Sequence, residues 1–327
     1  MTGFLSRNRL ILLAYIGMVV LLLVTATFSP GFLSESNLRS TVILAAFVGI
    51  VALGQTFVII GGGIDLSIPW VLNSAAILMT LLCVGQDLPL IWVAPLILCA
   101  GAMIGLINGV GVAVFGVPPI IMTLAANVIL QGLILVYTGG SPTPSAPNLI
   151  KFLSVGRIGP LPVIGFIWAA LAIVASVMLS KAAFGRHLYA VGTSATVAEF
   201  SGVPVARTTI LTYVTSGLTA ALAGMLLTGY SGQAYLGMGD SYLFTSIAAV
   251  AIGGASILGG SGHYLGTIAG ALVLTILTGL LPALNLSSGA LLIVYGAVIL
   301  LTVSLGSETL ASLWGVAFGK KNRKSGE

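Results

Sequence analysis

Charge is what this sequence has least of. Twelve basic and seven acidic residues in 327 make up 6% of the chain, against about a quarter in an ordinary soluble domain. So few charges cannot put a polar skin over a core of this size, which excludes a soluble protein. Cysteine is nearly absent as well. Cys83 and Cys99 both sit inside apolar runs, so neither a disulfide framework nor a cysteine metal site is expected. The two histidines, His187 and His263, stand far apart in expected loops with no carboxylates at ligand spacing, which excludes a zinc site or a proton relay. The few acidic residues fall mostly near the ends of apolar runs, leaving no chain of protonatable groups for a proton-driven pump. No G-x-x-x-x-G-K-[ST] occurs, and Gly319-Lys320-Lys321 lacks its glycine spacing; the chain is not expected to hydrolyse nucleotide. No nucleophile–base pair is evident, so no enzyme is expected, and the formal charge of +5 is not pooled on one amphipathic face as a nucleic-acid partner would require.

What is present in quantity is apolar sequence. Hydrophobic residues make up 58% of the chain, in runs near the roughly 20 residues that cross a hydrocarbon layer. The pattern predicts about ten spans: 10–28, 41–60, 66–84, 90–108, 120–137, 161–179, 208–229, 242–258, 264–281 and 288–305. The first run follows Arg7 and Arg9 but is longer than a usual signal peptide core and has no clean small-x-small cleavage site, so it reads as a span. The fold expected is an all-α integral membrane bundle, one membrane domain over 1–327, with long connections at 138–160 and 180–207 and a basic tail at 306–327.

Ten crossings with the amino terminus inside put Arg7, Arg9, Lys181, Arg186, Arg207, Lys320, Lys321, Arg323 and Lys324 on the cytoplasmic face. Arg39, Lys151 and Arg157 remain outside. That asymmetry is the one basic residues impose on membrane topology; both termini and the 180–207 connection are expected in the cytoplasm.

Glycine is the other abundant residue, at 43. Gly101, Gly105 and Gly109, and again Gly262, Gly266 and Gly270, recur every fourth residue, a spacing that lets helix backbones approach where lipid supplies no hydrophobic drive. Three more, Gly61-Gly62-Gly63, precede Ile64-Asp65-Leu66-Ser67 at the junction of two apolar runs. Such a run opens the helix. Asp65 then has two readings: part of a polar niche beside a solute path, or a cap for the next helix. Thr123, Asn127 and Gln131 share one helical face and suit either hydrogen bonding to a neutral hydroxylated solute or bonding between helices. Gln55, Asn73 and Asn108 are further intramembrane amides. In the 180–207 connection, Thr193 or Ser194 is placed to cap a short helix ending near Gly202, before Pro204. Glu199 lies on it, and it reads as a docking knob for a soluble partner or as an interfacial connector.

Several stretches together resemble one family. They are Gly54-Gln55-Thr56 leading into Gly62-Gly63-Ile64-Asp65-Leu66-Ser67, and Asn108-Gly109 followed by Pro119-Ile120-Ile121-Met122-Thr123-Leu124. To these add Gly185-Arg186-His187-Leu188-Tyr189-Ala190-Val191-Gly192 with Ser201-Gly202-Val203, and Ile247-Ala248-Ala249 through Gly253-Gly254 to Gly259-Gly260. Across nearly its whole length the sequence is similar to the permease subunits of bacterial ABC importers for monosaccharides. The resemblance implies the ten-helix architecture of the vitamin B12 permease type, built from two oppositely oriented halves. It implies an inner-membrane permease that dimerises with itself or a sister permease, sits on a cytoplasmic ATPase and receives solute from a periplasmic binding protein. ATP and magnesium would belong to the ATPase, with no cofactor in this chain. The stretch 193–202 would be the coupling helix, with Arg186, Thr193, Glu199 and Gly202 toward the ATPase. Gln55, Asp65, Ser67, Asn73, Asn108, Thr123, Asn127 and Gln131 would face the path. The chain departs from the family pattern at Ile68-Pro69-Trp70 and at Ser241–Ser246, which leaves the solute open among monosaccharides, polyols and nucleosides. An ion-gradient-driven transporter is the rival mechanism.

Overall fold

Runs of leucine, isoleucine, valine and alanine carry the helices of this protein, and glycine or proline interrupts nearly every one. A computed structural model describes residues 9–29, 31–140, 144–283 and 288–306. In chain order the helices are α1 (Arg9–Phe28), α2 (Glu35–Ile60), α3 (Ile68–Cys83), α4 (Leu90–Ala113), α5 (Pro119–Thr138) and α6 (Asn148–Val155). A two-residue hairpin follows, β1 (Arg157–Ile158) paired antiparallel with β2 (Leu161–Pro162). Then come α7 (Val163–Ser180), α8 (Ala183–Thr193), α9 (Ala195–Phe200), α10 (Val205–Ser231), α11 (Tyr242–Ile252), α12 (Tyr264–Ala283) and α13 (Ser288–Gly306). The expectation of an all-α membrane bundle holds. Six helices, α1, α2, α4, α5, α7 and α10, are long and apolar enough to cross a membrane; α3, α11 and the Tyr264–Leu280 part of α12 are shorter.

The bundle is organised around α2 and α10. Helix α2 is 26 residues long, about 39 Å at 1.5 Å per residue. Ser34 caps it by accepting from the Asn37 N–H, with Glu35 in the first turn. Nearly all of its apolar length is buried, whereas α1 and α5 are largely exposed and lie at the periphery. The stripe Gly101, Gly105, Gly109 meets α10: a Cβ on these glycines would strike Gly217, Tyr213 and Ile210 in turn. Close backbone contact of this kind replaces hydrophobic drive inside lipid.

The second expected stripe is corrected. Gly266 and Gly270 do pack against Gly253 and Ala249, but Gly262 lies before α12 with φ of +139°. The expected span 242–258 also stops early. Helix α11 ends at Ile252 because Gly253-Gly254 follows, with Gly254 at φ +82°, a conformation cheap only for glycine. Both long connections contain structure: α6 and the hairpin in the first, α8 and α9 in the second. His187 accordingly sits on α8 and not in a loop. Of the basic tail 306–327, all beyond Gly306 lies outside the described residues, as do Arg7, Lys320, Lys321, Arg323 and Lys324.

The described charges separate by end. Lys181, Arg186 and Arg207 flank α8 and α9, where Gly192 meets Gly62 and the Tyr189 hydroxyl donates to the Gly262 carbonyl at 2.7 Å. At the opposite end the Leu149 N–H donates to Asp87 Oδ1 at 2.8 Å and the Ala146 N–H to the Gly232 carbonyl at 2.8 Å. Lys151 and Arg157 belong to that end, with Arg39 in the first turns of α2.

The α4–α10 seam gives a direct test. Gly105→Leu drives a side chain into the Tyr213 backbone and is expected to abolish the monodisperse peak in detergent size-exclusion chromatography. Gly132→Leu on α5, where nothing lies within 4 Å, should elute as the unaltered protein does.

Candidate functional site

Gly61 ends α2, and Gly62 takes φ of +84°, so the chain turns back on itself instead of continuing. Residues 62–67 then run without regular structure until α3 begins at Ile68, with Pro69 in its first turn. Gly54 of α2 packs on Ser216 of α10, and Asp65 bonds to that same Ser216. Asp65 therefore lies level with Gly54, about 9 Å back along α2 from Ile60. The chain therefore turns at the α8 end of the bundle and runs back inside it as far as Asp65.

Backbone released from a helix at that depth needs partners, and the expected polar residues supply them. Asp65 Oδ1 accepts from the Ser67 N–H at 2.9 Å and from Ser67 Oγ at 2.6 Å, while Oδ2 accepts from Ser216 Oγ at 2.6 Å. Asn108 Nδ2 on α4 donates to Ser67 Oγ at 2.9 Å. Thr123 Oγ1 on α5 accepts from the Leu66 N–H at 3.0 Å, and Asn127 Oδ1 accepts from the Trp70 N–H at 3.3 Å. Asp65, Ser67, Asn108, Thr123 and Asn127 are thus brought together by one segment. Asp65 is 1% exposed and, among the described residues, is satisfied by hydroxyls and a backbone N–H, with no cation.

The remaining expected residues are placed differently. Asn73 of α3, with its amide turned so that Oδ1 accepts from the Gly237 N–H at 2.7 Å, donates to the Tyr235 carbonyl at 3.1 Å. It holds the α10–α11 connection, which sequence reasoning missed. Gln55 is fully buried on α2; its two amide atoms, Asn108 Oδ1 and the Tyr213 hydroxyl have no hydrogen-bond partner among the described residues. Gln131 is half-buried farther along α5. Neither Gln55 nor Gln131 bonds to the 62–67 segment.

The 180–207 connection forms the other candidate region. Ser194 caps α9, its side chain accepting from the Val197 N–H, and Gly202 ends it with φ of +79°. Thr193, Arg186, Glu199 and Gly202 are exposed, and so are Val197 at 64% and Phe200 at 89%. On the inner side, Gly192 of α8 lies against the Ile60 carbonyl and Gly260, and the Gly260 N–H donates to the Ile60 carbonyl at 2.9 Å.

Residues 37–303 match the family described as branched-chain amino acid transport system / permease component. The chain belongs to this permease family. It is 34% identical to the ribose import permease protein of Haemophilus influenzae over 89% of this chain and 91% of that protein. It is 36% identical to that of Bacillus subtilis over 91% and 92%, and 33% identical to the autoinducer 2 import system permease protein LsrD of Photorhabdus laumondii over 67% and 68%. No solved structure matches the chain. A multi-pass membrane permease is therefore built here on a bundle in which the chain between its second and third helices turns at Gly61–Gly63 and runs back without regular structure.

Thr123 tests whether the permease holds its break as described. Thr123→Val keeps the shape but leaves the Leu66 N–H without its partner, at a cost of about 1–3 kcal/mol. Thermal unfolding in detergent should shift to lower temperature, and an unshifted transition removes the bond from the account.

Proposed function

We propose that this permease is the membrane-spanning subunit of an ATP-driven importer that carries a monosaccharide or similar neutral polyol across the bacterial inner membrane. The observation that carries this reading is similarity to ribose import permeases over about nine-tenths of both chains. The family description names branched-chain amino acids, and the interior favours the sugar. An amino acid brings an ammonium and a carboxylate, each needing a counter-charge away from water. Among the described residues the one ion pair, half-buried Arg39 with exposed Glu35, lies in the first turns of α2, and Asp65 is the one charged side chain that is buried. Hydroxyls and amides suit a neutral polyhydroxylated solute.

In this reading a cytoplasmic ATPase binds and hydrolyses ATP with its magnesium, and a periplasmic binding protein supplies affinity. A second permease, identical or sister, completes the path. Both termini and the α8–α9 end face the cytoplasm, in line with the basic residues gathered there. Helix α9 presents Val197, Phe200 and Glu199 to the ATPase groove; Arg186, Thr193 and Gly202 flank it. Nucleotide binding biases the two open states by its differential contact with this end. On the path side, Asn127 and Gln131 of α5 offer amides to solute, and Asp65, Ser67, Asn108 and Thr123 keep the broken span in place, with Gln55 and Asn73 beside it.

Proteoliposomes holding the permease with its ATPase and binding protein are expected to take up radiolabelled ribose only with ATP. Uptake by the permease alone, driven by an ion gradient, would establish the rival mechanism. Phe200→Asp should assemble in the membrane yet lose most binding-protein-stimulated ATPase activity, and full stimulation would remove α9 as the docking element.

A further inference from the structure

Away from α8 and α9, a cavity of about 550 Å³ opens between α2, α11, α12 and α13. That volume is within the roughly 300–1,000 Å³ of small-molecule sites. Leu44 and Val48 form its α2 wall; both lie in the half of α2 far from Gly61. Phe244 and Leu292 continue the apolar lining on the other walls, with polar groups set among them. Asp240 and Ser241 stand at the start of α11, Thr245 one turn further, Thr275 on α12, and Tyr295 on α13.

The hydroxyls of Thr245 and Thr275 donate along their own helices, to the Ser241 and Ala271 carbonyls, which leaves their lone pairs as acceptors. Asp240, Ser241 and Tyr295 side chains make no hydrogen bond among the described residues. Tyr242 and Tyr295 both line the cavity. A carboxylate, hydroxyls of both kinds and aromatic faces in one concave space match what a sugar presents. Its hydroxyls donate to carboxylate and threonine oxygens, and its C–H faces pack on aromatic rings.

We infer that this cavity is a binding site for the transported monosaccharide, distinct from the Asp65 break; Ser241, Tyr242 and Thr245 of its lining lie in the stretch where the sequence departs from the family pattern. The inference rests on the proposed function and specifies where solute is held. Asp240 and Tyr295 select among sugars by the layout of hydroxyl groups, and Thr275 limits the depth of the space.

The complete transporter, with its ATPase and binding protein, provides the test, with ribose, arabinose and galactose as probes. Asp240→Asn and Tyr295→Phe each alter one hydrogen-bonding group and are expected to lower ribose uptake about tenfold. Because the three sugars differ in hydroxyl layout, the ratio of their uptake should change as well. Thr275→Leu fills the cavity and should depress uptake of all three. Equal losses for every sugar in Asp240→Asn and Tyr295→Phe would mark a structural role and overturn the assignment. Full ribose uptake in Thr275→Leu would show a space taken by lipid acyl chain and overturn it too. An unaltered transporter that moves none of the three removes the proposed function itself, a result separate from variants that transport as the parent does.

Discussion

A chain that leaves the helix within a hydrocarbon layer releases N–H and carbonyl groups that water cannot reach, and each must find a protein partner. In this permease that requirement falls on residues 62–67, and it dictates the placement of polar side chains on three helices, α4, α5 and α10. Ser67 and Leu66 offer backbone N–H groups, taken by Asp65 and Thr123; Trp70 offers another, taken by Asn127. Ser216 and Asn108 then tie Asp65 and Ser67 to α10 and α4. Asp65 is the least expected member, since a lone carboxylate in such surroundings is costly. It is tolerated because its two oxygens accept three hydrogen bonds within 2.9 Å.

A second irregular stretch, the connection from α10 to α11, meets the first. Gly239 packs directly on the Pro69 carbonyl, and Asn73 spans the Tyr235 carbonyl and the Gly237 N–H. Asn73 thus does for the second stretch what Thr123 and Asn127 do for the first. The consequence reaches the cavity, because the same connection sets Asp240 and Ser241 at its mouth. One amide on α3 therefore links the geometry of the broken span to that of the space where solute is inferred to rest.

Much of this was legible in the residues themselves. Composition required a membrane bundle, the glycine triplet required a break, and a Ser194 cap with Gly202 beyond it required a short helix; each depends on near neighbours along the chain. Asp65 reads as niche or cap from sequence alone; it accepts from the Ser67 N–H, one residue ahead of α3, and α3 has no side-chain cap. The spacing of Thr123 and Asn127 correctly gave one helical face, but it could not say that the face meets backbone N–H groups 57 residues away. The end of α11 was misjudged because Ala255, Ile257 and Leu258 continue the hydrophobic run while Gly253-Gly254 ends the helix. The cavity was signalled only in part: Ser241–Ser246 stands out as a departure from the family pattern, but Asp240, Thr275 and Tyr295 are single polar residues far apart along the chain.

The contacts at the α8 end differ in kind from those deeper in the bundle, and the proposed coupling would run between them. At the α8 end, contact is backbone on backbone: Gly192 against the Ile60 carbonyl, Gly259 against Gly62, and the Gly260 N–H on the Ile60 carbonyl. Side chains add to these contacts, Leu188 beside Gly61 and the Tyr189 hydroxyl on the Gly262 carbonyl, so a displacement of α8 would act on the break through main chain and side chain together. Packed interfaces of this kind move between discrete arrangements and do not deform gradually. From the break the shift reaches α3, α4, α5 and α10 through hydrogen bonds of about 2.6–3.3 Å, each of which constrains direction as well as distance. A bundle with almost no internal charge can undergo such a shift without breaking an ion pair, and that is the physical advantage of the sparse charge with which the sequence begins.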